Sequence, residues 1–389
     1  MYPSMSSSSG VLDYSELATQ NFMHRSDPGI VLRWNAVYYA NWRAHDRPPP
    51  SSLNLGHVSH IFYAFACNEW VDEHQPVDGT EGYLRALVQR KRNTDIKVLL
   101  SIGGAGNGSD IVGSKHFAAV ARNPATVERF ISSATQLAEK FHLDGFDINW
   151  EHPETHEQGE DYISLLFRLR QQFPSPKYLL TTALPAGEWA LNKINVYEAH
   201  QYVDLINLMT YDFSGPWMTH SGHQAQLHAR DPDPDPQSGT AAASTSCSSG
   251  VSYLLNWGVP AGKILLGIPA YGRAFPGANG INQIYERGNG EEKVFDYREL
   301  PLPGAQEMHD DIVGAAYCVD MGGGEGGGAG FISYDSTRTV TQKAKFVSEH
   351  DLGGLFYWHL AADADVGTER SLVVTGYHAL HPWMISKSK

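Results

Sequence analysis

Asp144-Gly145-Phe146-Asp147-Ile148-Asn149-Trp150-Glu151 sets two acids and an amide at alternate positions, 147, 149 and 151, of an otherwise apolar segment. In a strand, residues two apart point to the same face. Asp147, Asn149 and Glu151 would therefore line one surface, while Ile148 and Trp150 pack on the other. A buried polar group costs stability unless it finds a partner. Three of them on one face therefore point to function rather than to packing.

Outward from this segment, short apolar runs recur at 34–39, 58–65, 96–102, 178–183, 205–209, 264–268 and 354–358. With 145–150 they make eight candidate strands. Most are continuous rather than alternating, as expected of strands covered on both faces. Helical patterns fall between them, near 124–141, over 162–173 with apolar residues at 163, 165, 166 and 169, and over 337–349 with Ser336 or Asp335 as N-cap. Eight such alternations predict an α/β fold, a (β/α)8 TIM barrel. A doubly wound open sheet is the alternative. The barrel is preferred because polar clusters follow the strand C-termini, where barrel active sites sit.

Two segments break the rhythm. Residues 231–250, with an Asp-Pro repeat and a Ser/Thr/Ala run, read as a surface loop. Residues 276–333 are too long for an ordinary βα loop and predict a small α+β insertion between strands 7 and 8. The expected organisation is a polar extension over 1–30, a barrel over 31–275 and 334–389, and the insertion over 276–333.

The chain has 389 residues, enough for one large barrel with an insertion, and its 9 Trp and 19 Tyr allow a large core. A net charge of -14 argues against nucleic-acid or anionic-membrane partners. Three cysteines, Cys67, Cys247 and Cys318, are too few for a disulfide framework, and Cys67 reads as a small buried hydrophobe. The Ser-rich start lacks an apolar signal core, and no run reaches the length of a membrane span. The expectation is a soluble cytoplasmic monomer, or an extracellular or cell-wall protein if a leader has been removed. The 18 histidines show no ligand spacing. His220 and His223 come nearest and read as loop residues, so no metal is expected.

Glu151, at the end of its strand, falls on the catalytic rim of a barrel. A carboxylic acid there can protonate a leaving group if burial or nearby charge raises its pKa. Asp147 would supply such charge. The bland alternative, a carboxylate paired with a base, competes for Glu151 alone but not for three inward polar groups. Met209-Thr210-Tyr211-Asp212 ends the sixth strand, with Met209 and Tyr211 on one face and a phenol at the rim. Trp358 ends the eighth and offers a flat face to a sugar ring. Alone, the Tyr-Asp pair reads as structural, and Trp358 reads equally as a rim residue of the core.

Together these residues resemble glycoside hydrolase family 18, the chitinases with their related endo-β-N-acetylglucosaminidases and chitin-binding lectins. The segment 144–151 is similar to the D-x-x-D-x-D-x-E signature of that family. Ser101-Ile102-Gly103-Gly104 resembles its S-x-G-G, and Tyr63-Ala64-Phe65-Ala66 its second strand. Met209-x-Tyr211-Asp212 matches M-x-Y-D. Ile268-Pro269-Ala270-Tyr271-Gly272-Arg273 resembles the seventh strand, and Trp358 the eighth-strand tryptophan. The resemblance covers about 33–383, and the insertion resembles a shortened α+β insertion of one chitinase subfamily.

The resemblance implies hydrolysis of β-1,4-linked N-acetylglucosamine in which the substrate supplies its own nucleophile. Glu151 would protonate the glycosidic oxygen, the 2-acetamido carbonyl would attack to give an oxazolinium, and Glu151 would then activate water. Asp147 would give electrostatic support, and Tyr211 would hold the acetamido oxygen. Trp358 would floor the subsite, with Asp212, Met209, Tyr38, Phe65, Trp217, Tyr271 and Arg273 shaping the cleft. No cofactor is implied, and the expected partner is chitin or chitooligosaccharide.

Three departures qualify the resemblance. Asn149 stands where a third aspartate is usual; an amide oxygen still accepts a hydrogen bond but brings no charge to the oxazolinium. One like charge fewer also raises Glu151 less, which predicts an acidic optimum. Ala105 and His152 replace the usual Trp and Tyr, and missing aromatic area at 105 predicts short substrates or products. The alternatives are a non-catalytic chitooligosaccharide-binding protein, which Asn149 favours and Glu151 opposes, and an endo-β-N-acetylglucosaminidase.

Overall fold

The apolar runs become strands that pair edge to edge until the last meets the first. A computed structural model describes residues 33–46, 49–66, 76–77, 80–105, 114–230, 245–286, 293–322 and 328–382. The first seven barrel strands are β1 (Trp34–Ala40), β2 (His60–Ala64), β3 (Lys97–Gly103), β4 (Gly145–Asn149), β5 (Leu179–Pro185), β6 (Leu205–Met209) and β7 (Ile264–Pro269). An insertion then supplies β8 (Tyr271–Phe275), β9 (Val294–Asp296), β10 (Met308–Asp310), β11 (Ala315–Asp320) and β12 (Gly330–Tyr334), and β13 (Gly354–Trp358) returns to the barrel. The barrel order is β1-β13-β7-β6-β5-β4-β3-β2, every neighbour parallel. Closure rules out the doubly wound alternative.

Nine helices among the described residues join or flank the strands: α1 (Tyr83–Gln89), α2 (Ser114–Ala121), α3 (Pro124–Phe141), α4 (His156–Gln172), α5 (Glu188–Leu191), α6 (Val196–Tyr202), α7 (Cys247–Asn256), α8 (Thr337–Glu349) and α9 (Leu372–Leu380). Two differ from expectation for the same reason: their first turns are polar and lack apolar period. α4 starts at His156, six residues before the expected 162, because Thr155 caps it by accepting from the backbone N–H of Gln158 at 3.2 Å. α7 takes in residues 247–250, which read as loop, because Ser246 and Ser249 form a reciprocal capping box. Residues 231–244 of that expected loop lie outside the described residues, as do the N-terminal extension and Cys67. Cys247 and Cys318 are buried free thiols.

Two apolar layers hold the barrel. The larger lies between strands and helices and takes Ile148 and Trp150 from the β4 segment, with Trp150 stacked on Phe117 of α2 at 5.5 Å. The smaller fills the inside at alternate positions, Ala36 and Tyr38, Phe62 and Ala64, Leu99, Leu205, Leu265 and Phe356. The insertion is a five-stranded antiparallel sheet, order β9-β8-β12-β11-β10, with a small core of Phe275, Ala278, Tyr285 and Phe331. Its first strand, 271–275, follows β7 after one residue and so precedes residue 276, where the sequence opened the insertion. Continuous apolar character across Pro269 to Tyr271 hides that change of sheet.

Candidate active site

The inside of the barrel is divided. Tyr38, Phe62 and Phe356 make the β1, β2 and β13 side aromatic. The β3 to β6 side is polar, and parallel registry brings Ser101, Asp147 and Thr181 level with one another. Asp147 is fully buried and accepts four hydrogen bonds. Ser101 Oγ and Tyr38 Oη donate to Oδ2 at 2.7 and 2.8 Å, and Thr181 Oγ1 and Asn207 Nδ2 donate to Oδ1 at 2.7 and 3.3 Å. Asn207 also donates to Tyr38 Oη at 3.0 Å. Burial raises the Asp147 pKa, and the four donors work against that rise. Of these partners the sequence singled out only Tyr38 and Ser101, and neither as a partner of Asp147. Nothing in the chain order links Thr181 or Asn207 to residue 147.

One layer up, Asn149 is buried and its side chain donates a hydrogen bond to Glu151. Its carbonyl oxygen Oδ1 is buried with no hydrogen-bond partner. Glu151 follows at the barrel mouth, half-buried. Burial pushes its pKa up to about 7; the charges of Asp212 and Asp147 add to the rise, and the Asn149 hydrogen bond opposes it. A carboxyl that holds its proton to near neutrality can give it to an oxygen at the mouth and take one back.

Tyr211 lies beside this acid, half-buried, its ring edge-on to Phe356 at 6.1 Å. Burial raises its pKa well above the usual phenol value, with Glu151 next as a cause, so it keeps its proton and can donate a hydrogen bond at any working pH. Asp212 turns away into the insertion. It adopts a left-handed backbone, φ 61°, and accepts from Arg273 Nε at 2.6 Å and from Tyr271 Oη at 2.5 Å. Arg273 also lies over the exposed ring of Trp217, 4.8 Å from its centroid. The insertion thus supplies one wall of the mouth.

The opposite wall is aromatic. Trp358 packs edge-on to Tyr38 at 5.3 Å and tilted against Phe65 at 5.6 Å. Half-buried Met209 joins the same inner cluster. Tyr38 itself is 1% exposed and its hydroxyl is engaged with Asp147, so it lies below the floor rather than on it. Trp42, which the sequence reading passed over, stacks on Phe65 at 6.0 Å and is 41% exposed. Its signal was position: an aromatic just past the end of β1, on the same rim as the other candidates.

Gly103 and Gly104 have positive φ, and neither position has room for a side chain. A Cβ at 103 would lie 2.0 Å from the main-chain oxygen of Asn149, and one at 104 would lie 2.6 Å from the Phe65 ring. Ala105, next along, is exposed. His152 lies edge-on to Trp189 at 5.5 Å, and burial lowers its pKa to about 4, so it is neutral. His220 and His223 do not converge. His220 Nδ1 pairs with Thr219, and His223 lies between Ser333 and Asp310. No group of three or more His, Cys, Asp or Glu among the described residues could hold a metal ion.

Known proteins are similar to this chain over most of its length. The family model "Glycosyl hydrolases family 18" matches residues 35–363. Endochitinase 1 of Metarhizium robertsii is 31% identical over 361 residues, 85% of this chain and 81% of that protein. Chitinase 1 of Aphanocladium album is 31% identical over 391 residues, 91% of this chain and 88% of that protein. A crystal structure of catalytic domain 2 of the Group II chitinase of Ostrinia furnacalis, a mutant in complex with penta-N-acetylchitooctaose, superposes with a TM-score of 0.75. It is 22% identical, covering 89% of this chain and 96% of that one.

Proposed function

Because this chain belongs to glycosyl hydrolase family 18 and is a glycosidase, we propose that it cleaves β-1,4-linked N-acetylglucosamine in chitin or chitooligosaccharides by a substrate-assisted, retaining route. One observation carries the reading. Glu151, its pKa pushed up to about 7 by burial, stands at the mouth next to Asn149, whose buried Oδ1 has no partner in the protein. A buried acceptor without a donor is costly unless a ligand completes it. The N–H of a 2-acetamido group is a donor of the right kind.

In this mechanism Glu151 gives its proton to the glycosidic oxygen as the acetamido carbonyl attacks the anomeric carbon. The C–O bond to the leaving sugar breaks, and a cyclic oxazolinium forms with inversion. Glu151, now ionised, takes a proton from water, which opens the ring with a second inversion, so configuration is retained overall. Tyr211 donates to the acetamido oxygen and fixes its line of attack. Asn149 accepts from the acetamido N–H where relatives of this family usually carry an aspartate, and the oxazolinium loses one nearby charge. Asp147, a layer below and held by four donors, supplies the remaining field. Trp358, Phe65 and Trp42 floor the cleft, and exposed Ala105, next to the Gly104 that packs on Phe65, adds no aromatic grip there, which favours short products.

Incubation with chitotetraose and chitohexaose, with products identified by mass, tests the reading. The expected result is shorter N-acetylglucosamine oligomers from the wild type and none from Glu151→Gln. Tight binding without cleavage by the wild type would replace it with a non-catalytic, saccharide-binding role, the reading that the missing charge at 149 favours.

A further inference from the structure

Several aromatic side chains stand open to solvent among the described residues. Trp42 and Trp217 border the cleft, but Trp189, Tyr197 and Trp257, at 68%, 55% and 55% exposure, lie outside it. Exposed indole and phenol rings forgo the gain of burial, and a contiguous set of them marks a binding surface more often than chance.

These side chains lie on neighbouring elements. Trp189, just past β5, lies edge-on to His152, the residue after Glu151, so one end of the set reaches the cleft mouth. Its indole folds back over its own loop, where a Cβ on Gly187 would lie 2.4 Å from Nε1. Buried Ala190 and Leu191 anchor α5 behind it. α7 packs against this segment, where a Cβ on its Gly250 would lie 2.8 Å from the Cβ of Ala186. Tyr253 and Trp257 follow one another down α7, ring centroids 6.1 Å apart. Beyond the helix the chain turns at Gly258 against Tyr197 of α6, whose ring would meet a Cβ there at 3.1 Å. The order along the outer wall is Trp189, Tyr253, Trp257, Tyr197.

We propose that these four side chains form an accessory docking strip for a neutral β-1,4-linked N-acetylglucosamine polymer, holding the part of the chain that lies outside the cleft. The proposal rests on the saccharide reading of the cleft. Aromatic faces take the apolar C–H faces of pyranose rings, and phenol and indole edges reach their hydroxyl groups. Glu188 beside the strip and the net charge of -14 disfavour an anionic polymer. The strip is continuous with the mouth through His152, and it offers outside the cleft the aromatic area that Ala105 leaves out inside it.

The test uses the full chain with Trp257→Ala and Tyr197→Ala combined, both far from the reacting groups. Adsorption to particulate chitin is measured in the Glu151→Gln background, where nothing is consumed, and hydrolysis of soluble chitotetraose in the active background. Adsorption should weaken about tenfold, with kcat/KM on chitotetraose unchanged. The corresponding Phe replacements should adsorb nearly as wild type, which separates ring stacking from a folding defect. Undiminished adsorption of the double Ala variant, or Phe variants as weak as the Ala ones, would overturn the strip. So would a dimer that Trp257→Ala dissociates while adsorption holds, since the face would then be a subunit contact. Failure of the wild type to cleave chitotetraose would instead sink the reading of the cleft, and adsorption would still report on the strip.

Discussion

Asp147 and Asn149 sit two residues apart on one face of β4, and they are satisfied in opposite ways. The lower carboxylate has four protein donors, from β1, β3, β5 and β6. The upper amide gives its N–H to Glu151 and leaves its oxygen with none. The carboxylate is complete when the chain folds, whereas the amide oxygen at 149, like Asn207 Oδ1 one layer down, still has an acceptor to offer. Depth in the barrel therefore sorts the polar groups of a single strand into support and chemistry, although all of them face inward.

Replacing Glu151 with Gln should break the upper layer most severely, lowering kcat by about a thousandfold or more with little change in KM, as single-turnover and steady-state rates would report. Breaking the lower layer should act on stability instead. Asp147→Ala leaves several buried donors unpaired and should cost at least about 3 kcal/mol in urea unfolding, with loss of activity as a consequence. Tyr211→Phe removes one transition-state donor and keeps the ring packing, so kcat should fall by about a hundredfold while the melting temperature holds.

Asn149→Asp sharpens the contrast in the other direction. It restores charge beside the oxazolinium and should raise kcat by about tenfold. The added charge also raises Glu151 further, so the alkaline limb of the rate profile, expected near pH 7 for the wild type, should move up. A rate that stays flat well above pH 7 in the wild type would count against Glu151 as the acid.

The smallest effect is thermodynamic. Glu151 has a folded pKa of about 7 against 4.5 when unperturbed. Between those values the unfolded chain has released a proton that the native state keeps, so stability falls as pH rises through this window. Glu151→Gln removes that loss. Its melting temperature should match wild type below about pH 4.5 and exceed it above about pH 7. A constant difference across the range would mean the acid is not perturbed.

The barrel was legible because strands covered on both faces are written as unbroken apolar runs, and all eight were found within about two residues of their observed bounds. The polar face of β4 was legible for the opposite reason, since acids interrupt such a run only at a cost. The partners of Asp147 were not. Ser101 stood out only as part of a motif, Thr181 and Asn207 are unremarkable hydroxyl and amide residues in separate strands, and only the fold makes them neighbours. Trp42 and Trp189 were equally silent, because a lone aromatic just past a strand has no period to betray its face. The α4 and α7 starts were lost to local capping, which replaces apolar spacing with serine and threonine.

The four donors to Asp147 come from both halves of the barrel. Tyr38 and Ser101 travel with β4 itself, while Thr181 and Asn207 belong to the segments that follow. A fragment ending after β4 would carry the acid but only half of its support. Such a fragment should be inert alone, and mixing it with the complementary one should restore turnover only at the rate at which the two ends of the sheet find each other. Split between residues 149 and 179, the molecule would become a reporter of its own assembly.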